Sequence, residues 1–173
     1  GVEKIIVNTE AVLRPELIAE LSASFGAQSV VVAIDVRKGR WHKHNMVMIR
    51  GGREATKLDP VEHARRMVEM GAGEIFVNAI DRDGTMSGYD VPLIASIASA
   101  VDVPVIACGG AGSLQDFASA ARAGASAAAA GAIFVFQGPL RGILISYPSP
   151  TDLERTLGNI MPPPAWGTTT MNE

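Results

Sequence analysis

Short apolar runs alternate with stretches of helical periodicity along most of the chain. The runs predict β-strands over 4–8, 29–35, 74–80, 103–107 and 125–131, the last of them composed mostly of alanine. The periodic stretches predict helices over 14–26, 59–70, 91–100 and 113–124. Runs with no polar alternation are typical of strands buried on both faces, as in a parallel sheet. Strand and helix in alternation therefore predict right-handed βαβ units.

The ends of the predicted helices carry capping signals. Pro15 lies in a first turn and Gly26 follows a last one, which is the usual asymmetry of helix termini. Asp59 precedes a proline at a first helical position, and Ser113 is followed three residues later by Asp116, as in a capping box.

Two segments interrupt the alternation. Residues 36–57 predict a hairpin after the second strand. The prolines from Pro148 onward predict a loose end, with no regular structure beyond about Leu157 and a disordered tail over 158–173. We therefore expect one domain over 1–157. Periodicity leaves two architectures open, a doubly wound sheet and a (β/α)₈ barrel.

Composition narrows the class of protein. Apolar residues make up 47% of the chain and charged residues 19%, with a net charge of −3, so fibrous and disordered proteins are excluded. No basic stripe is present for nucleic acid, and no apolar run is long enough for a membrane. The single cysteine, Cys108, suits a reducing compartment. We expect a soluble cytoplasmic protein with no metal site and no cofactor.

Polar residues follow the predicted strands at the point where each ends. In a parallel α/β fold these ends lie on one face, which predicts a functional site there. Ordinary turn chemistry is the alternative. Asp35 ends a run of apolar residues, so its carboxylate is a candidate general acid or base, or else caps a loop. Of Asp81 and Asp83, we expect one to face the site and the other to hold the loop through Arg82.

Glycine clusters predict an anion site. Gly109 and Gly110 follow the fourth strand and precede a capped helix, where free backbone N–H groups suit phosphate. Gly131 and Ala132 follow the next strand, which matches the phosphate site of barrels formed by neighbouring loops. The G-x-G-x-x-G spacing of dinucleotide-binding proteins does not occur here.

Charges at the opposite strand ends have two interpretations. Lys4 and Glu74 each precede an apolar run, so they are either a charged pair at the barrel floor or two solvated strand starts. Cys108 is interpreted as a small buried residue rather than a nucleophile. We expect His44 on the exposed hairpin and His63 on a helix surface.

Four motifs make the chain resemble a known family. SVVVAIDVRK, GAGEIFVNAIDRDGTMSGYD, PVIACGGAGSLQDF and KIIVNTEAV are similar to the cyclase subunit of imidazole glycerol phosphate synthase (HisF type). The resemblance runs from Gly1 to about Phe136 and implies a (β/α)₈ barrel. It assigns strands four to eight to this chain, so we expect an N-terminally truncated barrel.

The resemblance also implies a lyase-type activity. Ammonia from a partner glutaminase reacts with a phosphoribulosyl-formimino-aminoimidazole carboxamide ribonucleotide, and imidazole glycerol phosphate is formed. One of the family's two catalytic aspartates matches Asp35, with Asp83 and Thr85 as supporting residues. The other belongs to the missing first strand, so we expect this chain to be inactive or weakly active alone.

The remaining motif positions match binding and gating residues of the family. Asn8 and Thr9 match the site for one substrate phosphate. The two glycine loops match the site for the other, although Ala132 stands where the family typically has serine. Lys4 and Glu74 match half of a charged gate to the ammonia channel.

Three other interpretations remain open. FVFQGPLRGILISYPSP and NAIDRDGTMSGYDVPLI are more similar to a side branch of the family that delivers ammonia for surface-sugar amidation, and we favour this branch for the biological role. A non-catalytic half-barrel that binds phosphorylated ligands or a glutaminase is the second. Another phosphate-binding barrel, such as the related sugar-phosphate isomerase, is the third.

Overall fold

The computed structural model describes residues 3–39, 44–138, 140–158 and 160. Its helices and strands largely follow the predicted order. The strands are β1 (Ile5–Val7), β2 (Val30–Lys38), β3 (Asn45–Ile49), β4 (Glu54–Ala55), β5 (Glu74–Ala79), β6 (Val105–Cys108), β7 (Ala127–Ala128), β8 (Phe136–Gln137) and β9 (Gly142–Ile143). The helices are α1 (Thr9–Leu13), α2 (Glu16–Phe25), α3 (Pro60–Glu69), α4 (Val91–Ala98), α5 (Leu114–Arg122), α6 (Ala132–Val135) and α7 (Pro150–Leu157), with a 3₁₀ turn at Ala27–Ser29.

A parallel sheet with the order β1-β2-β5-β6-β7 forms the centre of the fold. The β3–β4 hairpin pairs antiparallel with the carboxyl half of β2, on the same edge as β1, which confirms the predicted excursion. Among the described residues, no further strand pairs with the outer edge of β1 or of β7. The sheet is therefore open.

The core lies between one face of the sheet and the helices. Val30, Val32 and Ile34 of β2 are fully buried on this face, where they pack in one cluster with Ile18 of α2 and Met67 of α3. Alternate residues of a strand point to opposite faces. In β1, Val7 joins this cluster, whereas the neighbouring Ile6 is 64% exposed. The face opposite the helices is thus accessible along this edge.

The helix starts confirm the predicted caps. The Asp59 carboxylate accepts hydrogen bonds from the Val61 and Glu62 N–H groups at 2.9 and 3.1 Å, with Pro60 in the first turn. The Asp116 carboxylate accepts from the N–H and the hydroxyl of Ser113 at 2.8 and 3.0 Å. These local bonds satisfy groups that helix ends leave unpaired.

The end of the chain differs from its prediction. A loose segment from Pro148 is wrong, because α7 forms over Pro150–Leu157 and the Ser149 hydroxyl accepts from the Asp152 N–H at 3.2 Å. The β8–β9 hairpin was not predicted either. The predicted disordered tail lies outside the described residues, except for Gly158 and Ile160. The fifth predicted strand is shorter than expected, only Ala127–Ala128.

His63 lies in the core and not on the helix surface, so that prediction is wrong. Its side chain is 5% exposed, and it shares the inner stripe of α3 with Pro60, Ala64 and Met67. That i, i+3, i+4, i+7 spacing is visible in the sequence. Burial, with a smaller contribution from Arg66, lowers the pKa of His63 to about 4.

We expect acid to destabilise the fold through His63. The unfolded chain binds a proton near pH 6.5 and the folded chain only near pH 4, so the free energy of unfolding falls as pH decreases through this window, by up to about 3 kcal/mol. Urea unfolding of His63→Leu between pH 7 and 4 should lack this component. His44→Gln, at an exposed histidine, is the control. An unchanged pH profile in His63→Leu would contradict the assignment.

Candidate functional site

Three polar side chains lie side by side at the carboxyl ends of the central strands. The register pairs Asp35 of β2 with Asn78 of β5, and Asn78 with Cys108 of β6. Each is partly buried, whereas the residues before them, Ile34 and Val77, are fully buried toward the helices. We call Asp35, Asn78 and Cys108 the polar row. It lies on the face opposite the helical core.

Asn78 connects the row and was missed by the sequence analysis. Its amide Nδ2 donates to Asp35 Oδ1 at 3.0 Å. Its own Oδ1 is buried and has no hydrogen-bond partner within the described part of the chain. A buried acceptor left unpaired costs about 1–3 kcal/mol, so this oxygen is available to a donor on a ligand. The sequence did contain a signal for Asn78, because it is a polar residue near the end of an apolar run, as Asp35 is.

Cys108 is held as a neutral thiol. Burial raises the pKa of the Cys108 thiol, and the Asp83 and Asp35 carboxylates raise it further, although the Gly109 N–H acts in the opposite direction. A thiol of this kind is a poor nucleophile at neutral pH. Asp83 itself is exposed, on the loop that follows β5.

The loop that carries Asp83 and Thr85 is held by its own hydrogen bonds. Arg82 donates to the Gly88 carbonyl at 3.0 Å, and its Nε lies 3.9 Å from the Asp90 carboxylate. Arg82 therefore holds the loop, but through Asp90 rather than the predicted Asp81 or Asp83. The Thr85 hydroxyl donates to the Arg82 carbonyl at 2.6 Å and is exposed. Thr85 is thus not brought into the polar row.

The two predicted phosphate loops differ in what surrounds them. Gly109 and Gly110 have φ angles of 92° and 105°, and a Cβ on Gly110 would lie 2.3 Å from the Gly88 carbonyl oxygen. The close packing of these two loops therefore requires glycine at position 110, independently of any role in phosphate binding. Around a Cβ placed on Gly131 no atom of the described chain lies within 4 Å. Gly131 therefore borders open space, and Ala132, the first residue of α6, is half-buried.

Asn8 and Thr9 lie at the end of β1 and contact the neighbouring elements. The Asn8 amide donates to the Ala33 carbonyl of β2 at 2.9 Å. The Thr9 hydroxyl accepts from the Arg50 N–H of the β3–β4 hairpin at 2.9 Å. Both side chains are therefore fixed in position by strands on the same edge of the sheet.

Lys4 and Glu74 meet at the amino-terminal ends of the parallel strands, opposite the polar row. Their side chains form an ion pair, and the Lys4 ammonium also donates to the Gln28 carbonyl at 3.3 Å. Glu74 is the more buried partner, with 19% of its side chain exposed against 45% for Lys4. Alternation along β5 puts Glu74 and Asn78 on the same face, about 13 Å apart. The pair and the polar row therefore occupy the two ends of one face.

Membrane-spanning helices and metal clusters are both absent from the described residues. No helix among them is long and apolar enough to cross a membrane. No group of three or more His, Cys, Asp or Glu side chains among them could hold a metal ion.

The class of protein is a (β/α)₈ barrel. Such barrels have parallel strands with helices on one face, and their functional residues lie at the carboxyl ends of the strands. A sequence profile of this class, described as "Histidine biosynthesis protein", matches residues 1–140. The chain belongs to this family. That match confirms the predicted fold class and favours the barrel over the doubly wound sheet.

Curated relatives agree with the family. The chain is 49% identical over 155 residues to "Putative imidazole glycerol phosphate synthase subunit hisF2" of Pseudomonas aeruginosa, covering 89% of this chain and 61% of that protein. It is 51% identical over 138 residues to imidazole glycerol phosphate synthase subunit HisF of Pyrobaculum aerophilum, covering 79% and 53%. The corresponding protein of Alkaliphilus metalliredigens is 48% identical over 135 residues, covering 78% and 53%. The chain thus spans about half the length of the curated relatives it matches.

Gly110→Ala should destabilise the fold, and Gly131→Ala should not. The first puts a Cβ against the Gly88 carbonyl at a left-handed φ, and we expect a loss of about 2 kcal/mol or more. The second meets open space at a φ of −124°. Urea unfolding of both variants measures the difference. Equal midpoints would show that the two loops do not pack as described.

Asn78→Asp should put two carboxylates 3.0 Å apart and make stability depend on pH. Repulsion is present only when both carboxylates are ionised, so we expect a loss of about 1–3 kcal/mol at pH 7 that acid relieves. Asn78→Leu, which carries no charge, is the control. Urea midpoints measured from pH 4 to 8 test this, and parallel profiles for the two variants would contradict the contact.

Proposed function

We propose that residues 1–157 form the carboxyl-terminal part of an imidazole glycerol phosphate synthase cyclase subunit. In this reaction, ammonia supplied by a partner glutaminase attacks a phosphoribulosyl-formimino-aminoimidazole carboxamide ribonucleotide. The ribonucleotide is cleaved, the aminoimidazole carboxamide ribotide leaves, and the remainder closes to imidazole glycerol phosphate. The observation that carries the proposal is the placement of the polar row at the strand ends that bear the candidate phosphate loops, with the Lys4–Glu74 pair at the other end of the same face.

Asp35 is the proposed acid or base. A carboxylate can take a proton from the attacking nitrogen and return one to a leaving group. Asn78 fixes one oxygen of Asp35, which leaves the other free for the substrate. The unpaired Asn78 Oδ1 is suited to accept from an N–H or O–H group of the substrate. Asp83, on the loop that faces Cys108, supports this arrangement electrostatically.

Two sets of residues are proposed to bind the substrate phosphates. Asn8 and Thr9 serve one phosphate from the end of β1. Gly109 and Gly110, together with the loop at Gly131 and Ala132, serve the other through backbone N–H groups. The open space at Gly131 supports this role. Ala132 supplies its N–H without the hydroxyl that serine would add.

Lys4 and Glu74 are proposed to gate ammonia. The pair lies at the amino-terminal edge, so ammonia entering there would travel about 13 Å along the face to Asn78. A salt bridge whose partners can separate opens a path for a small neutral molecule and closes it to water at other times. The glutaminase would dock at this edge.

A second function is favoured by the end of the chain. The match to the Pseudomonas aeruginosa relative covers 155 residues, so it extends beyond the 140 residues of the family profile. The chain beyond residue 140 contains β9 and α7. In the surface-sugar branch, the same gate and phosphate loops would deliver ammonia to a sugar amidotransferase, and no imidazole ring would be formed.

Turnover by the parent protein separates these functions, and Asp35→Asn tests the catalytic role of Asp35. The assay joins the amino-terminal strands of the Pseudomonas aeruginosa relative to this chain and supplies ammonium chloride and the ribonucleotide. We expect imidazole glycerol phosphate from the parent and a loss of about 100-fold or more in Asp35→Asn, with binding of inorganic phosphate retained. Asp102→Asn, at an exposed loop residue, is the control.

Three outcomes are distinguishable. Turnover that survives Asp35→Asn would exclude the proposed catalytic role. Phosphate binding without any imidazole glycerol phosphate would favour the ammonia-delivering function. Failure to bind inorganic phosphate would contradict both.

A further inference from the structure

The β8–β9 hairpin has no part in the proposed reaction, yet it contacts the catalytic edge. It follows α6 directly, and its register pairs Phe136 with Ile143. Two further backbone bonds, from Leu144 to Val135 and from Ser146 to Phe134, each at 2.9 Å, tie it back to α6. The hairpin is therefore anchored beside the loop that begins at Gly131.

Arg141 carries the contact from this hairpin to the Asp83 loop. One guanidinium nitrogen donates to the Gly84 carbonyl at 2.7 Å and to the Thr85 carbonyl at 3.2 Å. The guanidinium also lies 5.7 Å from the centre of the Phe136 ring, within the range of a cation–π contact. Phe136 thus fixes Arg141 from one side while the two carbonyls fix it from the other.

The loop over 82–87 contains a strained turn that the Arg141 hydrogen bonds can stabilise. Gly84 and Met86, on either side of Thr85, have φ angles of 73° and 60°. A left-handed methionine costs about 1 kcal/mol or more, and burial does not offset it at a segment whose other residues are mostly exposed. Hydrogen bonds to the carbonyls between these two residues stabilise the strained turn.

We propose that Arg141 is a positioning residue that fixes the loop over 82–87, which carries Asp83. Its role in catalysis rests on the proposed function, whereas its effect on the loop does not. Arginine suits the task, because its planar fork of donors can reach two acceptors while it stacks on a ring. Arg141 lies just beyond the 140 residues of the family profile.

Amide exchange tests the loop directly. We expect the amides of Asp83–Ser87 to exchange about three- to tenfold faster in Arg141→Gln, with an unchanged urea midpoint, because two exposed hydrogen bonds are lost locally. Arg141→Lys should restore part of the protection, and Phe136→Leu should lose part of it. Arg122→Gln, at an exposed position on α5, is the control. Unchanged exchange in Arg141→Gln would overturn the proposal.

The single cysteine reports on Asp83. Because the Asp83 carboxylate raises the pKa of the Cys108 thiol, a loosened loop should lower the pH at which thiolate absorbance appears in Arg141→Gln. Removal of the Arg141 positive charge alone would raise the pKa of the thiol, so the sign of the shift separates the two effects. Asp83→Asn should give the same downward shift, and adding Arg141→Gln to it should cause no further fall. An upward shift, or additive downward shifts, would overturn the role assigned to Arg141. Neither readout requires turnover, so the test stands apart from that of the proposed function.

Discussion

The parallel register between β2 and β5 is the constraint on which the rest of the structure depends. Six residue pairs, from Val31 with Glu74 to Val36 with Ala79, fix both ends of the functional face at once. The same alternation that buries Val32 and Ile34 against the helices points Asp35 the other way. A slip of one residue would turn the carboxylate into the core, so hydrophobic burial itself specifies the position of the candidate acid or base.

Contacts between successive loops preserve this arrangement at the carboxyl edge. The Gly88 N–H donates to the Gly110 carbonyl at 2.8 Å, and the Tyr89 hydroxyl donates to the Ala129 carbonyl at 2.9 Å. At the two ends of the series, the Arg50 backbone N–H donates to the Thr9 hydroxyl, and the Arg141 guanidinium donates to the Gly84 carbonyl. Each strand-end loop is therefore held by another, which limits the cost of ordering the site when a ligand binds.

The sequence predicted what local physics determines and missed what depends on distant partners. The alternation of elements, the caps at Asp59 and Ser113 and the position of Asp35 follow from patterns within single elements. The contact of Asn78 with Asp35 depends on a register between strands 43 residues apart, and that of Arg141 on a hairpin that folds back over 57 residues. The predictions for His63 and for α7 failed for a different reason. The spacing of the inner stripe of α3 and the Ser149–Pro150 helix start are both local signals that the sequence contains.

The way Asp35 is held bears on what it can do. An arginine or lysine beside a carboxylate strongly favours its ionised form, whereas a neutral amide donor favours it less and leaves proton exchange accessible. Within the described part of the chain, Asp35 has no ion-pair partner. Arg37, two residues further along β2, donates to the Gly52 carbonyl, and Arg50 and Arg82 are paired with Glu54 and Asp90. The polar row therefore consists of a carboxylate, an amide and a neutral thiol. Such a row suits proton transfer to nitrogen better than permanent binding of a cation.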